Sequence, residues 1–137
     1  MSLVLDSSTT VARVFPDECT PAILDLFRKI TNSVAWVPEL WRLEVANSLS
    51  VSVKRKRLLK EDRNNILLEL LNLPIECDEE TGTQAWGHTL ELADRHSLTV
   101  YDATYLELAL RRALPLATLD RDLRRAAENE GVRLLGL

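Results

Sequence analysis

The sequence predicts an α/β protein: a parallel sheet with helices packed on both faces. Three observations lead there. Short apolar runs of strand length alternate with stretches of helical period from one end of the chain to the other. The helical stretches outnumber the strand-like ones, and parallel strands need such crossovers between them. No internal repeat, low-complexity run or Gly/Ser linker divides the chain. Its 137 residues are therefore expected to form a single domain over 1–137, large enough to bury a core without staples.

The elements follow in order. Residues 2–5 (SLVL) read as a strand, closed by Asp6-Ser7-Ser8 and followed by a helix over 9–15. Residues 16–20 break the pattern at Pro16. Residues 21–30 carry apolar positions at 23, 24, 26, 27 and 30, a helical period. Residues 34–37 (VAWV) form a second strand, closed by Pro38. Helices are expected over 39–57 and 59–71, the second opened by Lys60-Glu61-Asp62. Residues 74–77 (PIEC) read as a strand and 78–96 as a helix. Residues 98–100 (LTV) are β-branched and strand-like, or else an extended lead-in to a helix over 102–112. Residues 115–119 (PLATL) give another strand and 120–129 a helix, which Gly131 stops. Residues 132–135 (VRLL) close the chain as a strand.

Composition excludes several classes. With 46% hydrophobic residues distributed throughout, the chain is not disordered. No run of about 18 uncharged apolar residues exists, so no membrane-spanning helix is expected. The segment from Met1 to Asp6 has neither the basic start nor the apolar centre of a secretory leader. Cys19 and Cys77 lie far apart without metal-type spacing, which fits a reducing cytoplasmic setting. Seventeen basic against 21 acidic residues argue against a general nucleic-acid coat. They leave room for an enzyme acting on nucleic acid, because a metal offsets an acidic site.

Four acids are placed unlike the rest. Asp6 follows the first strand, Asp102 opens the helix after 98–100, and Asp120 opens the helix after the run ending at Leu119. In an open α/β sheet the carboxyl ends of the strands share one edge, where ligands bind. Three aspartates at such junctions can converge there. Glu44 is the fourth, inside a helix with few other charges nearby. Taken singly, each aspartate is also explained as a helix N-cap, and Glu44 as a solvated position or a partner for Arg42. Taken together, carboxylates held close repel one another, which suggests a divalent cation. Oxygen donors alone point to Mg²⁺ or Mn²⁺ rather than zinc.

At these residues the chain resembles the PIN domain, and within it the VapC-type toxins of toxin–antitoxin pairs. The resemblance covers essentially the whole chain through four blocks: VLDSST (4–9), LEVANSL (43–49), LTVYDATYLELA (98–109) and LATLDRDL (116–123). It implies a three-layer α/β/α sandwich with a parallel five-stranded sheet of order 3-2-1-4-5. It implies a metal-dependent endoribonuclease with an acidic set at Asp6, Glu44, Asp102 and Asp120. Metal would be held by Asp6, Asp102 and Asp120, with Glu44 ligating through water or taking a proton. Around this set, Ser8 and Thr118 are candidate supporting hydroxyls, Asn47 shares a helix face with Glu44, and Asp122 is a possible extra acid. Each also has a plain structural reading: turn former, strand residue, surface amide and first-turn acid.

The resemblance further implies an RNA substrate, a small cognate antitoxin and a homodimer. The run Lys54-Arg55-Lys56-Arg57, with Lys60, Arg63, Arg111-Arg112, Arg121, Arg124 and Arg125, offers either a phosphate-positioning rim or solvated helix ends. Trp36, Trp41 and Trp86 are expected in the core or an interface. His88 and His96 are given no role. The competing reading is a non-catalytic α/β binding module whose acidic pocket is vestigial and whose acids are caps. A receiver domain and an Asp-x-Asp phosphatase fit less well, since Asp6-Ser7-Ser8 lacks the second aspartate.

Overall fold

The computed structural model describes residues 2–137, so Met1, the start of the segment read as lacking a leader, lies outside it. Five short strands make one sheet: β1 (Leu3–Leu5), β2 (Ala35–Val37), β3 (Ile75–Cys77), β4 (Leu116–Ala117) and β5 (Leu134–Leu135). The order is β3-β2-β1-β4-β5 and every pair is parallel. Leu3 pairs with Ala35 and Leu5 with Ala117, so β1 is central. Its three residues are all buried, as expected of a strand covered on both faces.

Eight helices connect the strands among the described residues: α1 (Ser7–Val14), α2 (Pro21–Thr31), α3 (Trp41–Lys54), α4 (Lys60–Leu71), α5 (Thr81–Gln84), α6 (His88–His96), α7 (Val100–Arg112) and α8 (Arg121–Asn129). Thr20 caps α2 by accepting from the Ile23 N–H, and Pro21 occupies the first position. Residues 103–109 of α7 are all buried, making it the central helix of the core. By contrast, α4 buries no residue fully and leaves Leu68 and Leu71 exposed.

Three expectations need correction. Residues 98–100 are not a strand. Leu98 and Thr99 form the tight connection of an α6–α7 hairpin, and Val100 already begins α7. Ser97, in left-handed conformation (φ 54°), ends α6, and the Thr99 hydroxyl caps α7 by accepting from the Asp102 N–H at 3.1 Å. Asp102 therefore lies inside the first turn rather than opening the helix. The helix expected over 78–96 is split around residues 85–87 into α5 and α6, with Gly87 carrying backbone angles of φ −114° and ψ −108°.

The third correction concerns Asp78, Arg111 and Arg112. Asp78 follows β3 and is fully buried. Arg111 donates to its Oδ2 at 2.6 Å and Arg112 to its Oδ1 at 3.0 Å. Arg111 also holds the buried Glu107 at 2.6 Å, and the Arg112 guanidinium lies 3.5 Å from the centre of the Trp36 ring. Burial pushes the Asp78 carboxyl up, but the two guanidinium groups outweigh it and hold it below the ordinary range. The pair Arg111-Arg112 thus ties α7 to the edge of the sheet and is not available as a phosphate rim.

The tryptophans divide. Trp41 is buried and donates its indole N–H to Thr10 at 3.1 Å, and Trp36 is half-buried. Trp86 is 92% exposed, so the core reading fails for it.

Candidate active site

The sheet order places a switch point between β1 and β4. From β1 the chain proceeds to β2 on one side, while β4, on the other side, proceeds outward to β5. Ligands of open α/β sheets bind at such a point, beyond the carboxyl ends of the strands. Asp6 follows β1, and its N–H donates to the Ala117 carbonyl of β4 at 3.0 Å. Asp120 lies three residues after Ala117 and caps α8, its Oδ1 accepting from the Leu123 N–H at 2.9 Å.

Asp6 stands at the N-terminus of α1, yet its carboxylate makes no capping bond. It is buried and is held by hydroxyls instead. Ser8 and Thr118 each donate to Oδ2 at 2.6 Å, and Ser7 lies 3.5 Å from Oδ1. Burial pushes its pKa up. The two hydroxyls oppose that shift and the charge of Asp120 adds to it, leaving a net rise. Asp102 is raised to about 6, first by burial, then by the charges of Asp120 and Asp6. Glu44, in α3, is also raised by burial, partly offset by the Tyr105 hydroxyl, with Asp6 and Asp102 repelling it. Tyr105 Oη donates to Glu44 Oε1 at 2.5 Å, and Ser7 Oγ lies 3.4 Å from the same oxygen.

An open cleft of about 630 Å³ has Asp6, Asp102 and Asp120 in its lining, with Ser7, Ser8 and Ser48 beside them. Ser7 links Glu44 to this set. Carboxylates from the end of β1, from α7 and from the β4–α8 junction thus line one cleft, and Glu44 of α3 is tied to it through Ser7. Capping accounts for Asp120 alone: Asp6 makes no cap bond, and Thr99 is the cap of α7.

Ser8 and Thr118, two of the candidate hydroxyls, both lie against Asp6. Asn47 does not join the cleft: it is exposed and makes no hydrogen bond to Glu44. Asp122 is exposed and pairs with Arg125 at 3.1 Å, although its charge still contributes to the rise at Asp102. Tyr105, Ser7 and Ser48 were not read as site residues. Tyr105 carried one signal, a polar tip three residues after Asp102 and so on its helix face. Glu18, also in the cleft lining, is engaged by Arg57 at 3.5 Å.

Comparison with known proteins decides the family. The PIN domain family model matches residues 3–129. This chain belongs to the PIN domain family. This PIN domain is 31% identical over 128 residues to Ribonuclease VapC3 of Pyrobaculum aerophilum, covering 90% of this chain and 92% of the relative. Among solved structures, PAE2754 from Pyrobaculum aerophilum superposes with a TM-score of 0.71 at 22% identity, covering 98% of this chain and 83% of that one. VapBC2 from Rickettsia felis, solved with a DNA fragment from their promoter, gives 0.69 at 15% identity, covering 98% and 97%. At these identities the solved structures establish a shared fold.

As the side chains stand, no group of three or more His, Cys, Asp or Glu among the described residues is arranged to hold a metal ion. The donor chemistry nevertheless fits one. The groups are hard carboxylate oxygens, and Asp102 is raised because it faces the charges of Asp120 and Asp6. A divalent cation would relieve that repulsion, and oxygen-only donors favour Mg²⁺ or Mn²⁺.

Proposed function

We propose that this PIN domain is a divalent-metal-dependent endoribonuclease, hydrolysing RNA phosphodiester bonds as the toxin half of a VapBC-like pair. The observation that carries the reading is the gathering of Asp6, Asp102 and Asp120 in one cleft at the switch point of the sheet, with Glu44 tied to it through Ser7. Repulsion among carboxylates is a standing cost that a fold alone does not need. Likeness to Ribonuclease VapC3 over nine-tenths of the chain supports the substrate class.

In this mechanism Asp6, Asp102 and Asp120 would hold Mg²⁺ or Mn²⁺. Such an ion supplies Lewis-acid stabilisation of phosphate charge and makes water a nucleophile near neutral pH. The chain's own residues do the rest. Ser8 and Thr118 keep the Asp6 carboxylate oriented from Oδ2. Thr99 fixes the first turn of α7 and with it Asp102. Glu44 takes the proton released by the attacking water, at Oε2, the oxygen that no hydrogen bond occupies.

RNA approaches an acidic cleft through nearby cations. Lys54, Arg55 and Lys56 are exposed and form no ion pair among the described residues, at the end of the helix that also brings Ser48 to the cleft. Their neighbour Arg57 reaches Glu18 on the cleft wall. This turn is the phosphate-positioning rim. Exposed Leu43, Leu68 and Leu71 on α3 and α4 support contacts with an antitoxin or a second copy. No helix among the described residues is long and apolar enough to cross a membrane, and the proposed setting is the cytoplasm.

The deciding experiment is cleavage of a mixed structured-RNA pool by purified protein with Mg²⁺ or Mn²⁺, against EDTA and Asp102→Asn controls. Cutting that needs metal and is lost in the variant is the expected result. No cutting and no metal-induced rise in melting temperature would transfer the reading to a binding module.

A further inference from the structure

Tyr105 is fully buried in α7, one turn after Asp102. A buried phenol needs a hydrogen-bond partner. Its partner is not a nearby backbone carbonyl but the Glu44 carboxylate of another helix, 61 residues away in sequence, at 2.5 Å. Hydroxyl-to-carboxylate bonds of this length are charge-assisted and stronger than neutral ones. Both hydrogen bonds to Glu44, from Tyr105 and from Ser7, fall on Oε1. Ser7 is also within 3.5 Å of Asp6 Oδ1, so its single proton is shared between two acids. Tyr105 makes much the shorter of the two bonds, 2.5 Å against 3.4 Å, so it is the stronger of the two donors.

The surroundings make this anchor rigid. Every residue from 103 to 109 is buried, so the Tyr105 ring is packed in place before any substrate binds. Glu44 has the longest side chain of the four acids, with one more rotatable bond than the aspartates. Without an anchor its carboxylate would sample many rotamers. Helix α7 thus delivers Asp102 itself and, one turn later, the group that holds the acid of α3.

We propose that Tyr105 is the positioning residue for Glu44, fixing the carboxylate through Oε1 and leaving Oε2 as the working oxygen. This rests on the ribonuclease reading for its catalytic consequence, though the placement stands on geometry alone. Tyr105 is not in the lining of the cleft and acts through its bond to Glu44.

Two measurements test it, on Tyr105→Phe, Glu44→Gln and the double variant. The first needs no activity: the side-chain carboxyl ¹³C resonance of Glu44 in labelled protein. It shifts in Tyr105→Phe while the fold, followed by circular dichroism, is retained. An unmoved resonance would overturn the proposal. The second uses a labelled oligoribonucleotide cut by the wild-type protein with Mn²⁺. Tyr105→Phe lowers kcat about 10–100-fold, the range for a partner that orients a site group, with KM unchanged. Added to Glu44→Gln, it costs nothing further. A loss that multiplies with that of Glu44→Gln, or one confined to KM, would overturn it. A wild-type protein that cuts no RNA while the resonance moves sinks the ribonuclease reading and keeps Tyr105 as the anchor of Glu44.

Discussion

Thr118 and Asp6 are joined across adjacent strands by a hydroxyl that serves two acids at once. Thr118 Oγ1 donates to Asp6 Oδ2 at 2.6 Å and accepts from the Asp120 N–H at 3.1 Å. Both partners are fixed by strand pairing, Leu5 lying opposite Ala117 in the register. Thr118→Val keeps the shape and removes both bonds. It should cost about 1–3 kcal/mol in urea denaturation, the usual effect of stranding buried polar groups. It should also slow RNA cleavage about 10-fold or more through a less ordered Asp6. Unchanged cleavage would show that the hydroxyl serves stability alone.

Asp102 sets a pH dependence with a definite sign. Its pKa in the folded protein is about 6, against about 4 for an unfolded aspartate. Between those values the native state binds more protons than the unfolded state, so stability falls as pH rises from about 4 to 6. The difference in melting temperature between Asp102→Asn and wild type, measured in EDTA, should therefore grow over that window. It should reach about 3 °C, equivalent to ~1 kcal/mol for a domain of this size. Added Mn²⁺ should close the gap by stabilising wild type alone. A flat difference would remove Asp102 from the repelling set.

Asp78 predicts the opposite sign. Its carboxyl lies below the ordinary range because Arg111 and Arg112 hold it. Its contribution is present above about pH 4 and is lost as pH falls through its lower folded value. Asp78→Ala leaves two guanidinium groups without their shared partner and should destabilise by about 3 kcal/mol. Cleavage per folded molecule should not change, since Asp78 lies outside the cleft lining. Denaturation curves and active-fraction assays check both halves.

The exposed turn at 54–56 predicts a salt effect. Replacing Lys54 and Arg55 together by Ala should lower the salt slope of RNA affinity by about 1.4, two single-strand phosphate contacts at ~0.7 each. Measurement uses Asp102→Asn protein without cutting. An unchanged slope would leave these residues as a solvated helix end.

The sequence by itself determined the alternation of strands and helices, because apolar period is written locally. It also placed Asp6 and Asp120 near the ends of strands, since the chain must turn there, whereas Asp102 proved to lie in the first turn of a helix that follows another helix. Ser8 and Thr118 were legible for the same reason, being neighbours of those junctions. What it misplaced depends on contacts between distant segments. Residues 98–100 carry β-branched side chains suited to a strand, yet the Thr99 hydroxyl is used as a helix cap. Arg111 and Arg112 look like free cations until the fold brings Asp78 to them from 33 and 34 residues away. Trp86 could by sequence belong to the core or to an interface, and the fold leaves it exposed. Only tertiary structure decided that Asp6 gives its carboxylate to hydroxyls rather than to a cap, and that a tyrosine of α7 holds the glutamate of α3. Those are pairings across the fold, and local pattern carries no information about which far segment arrives.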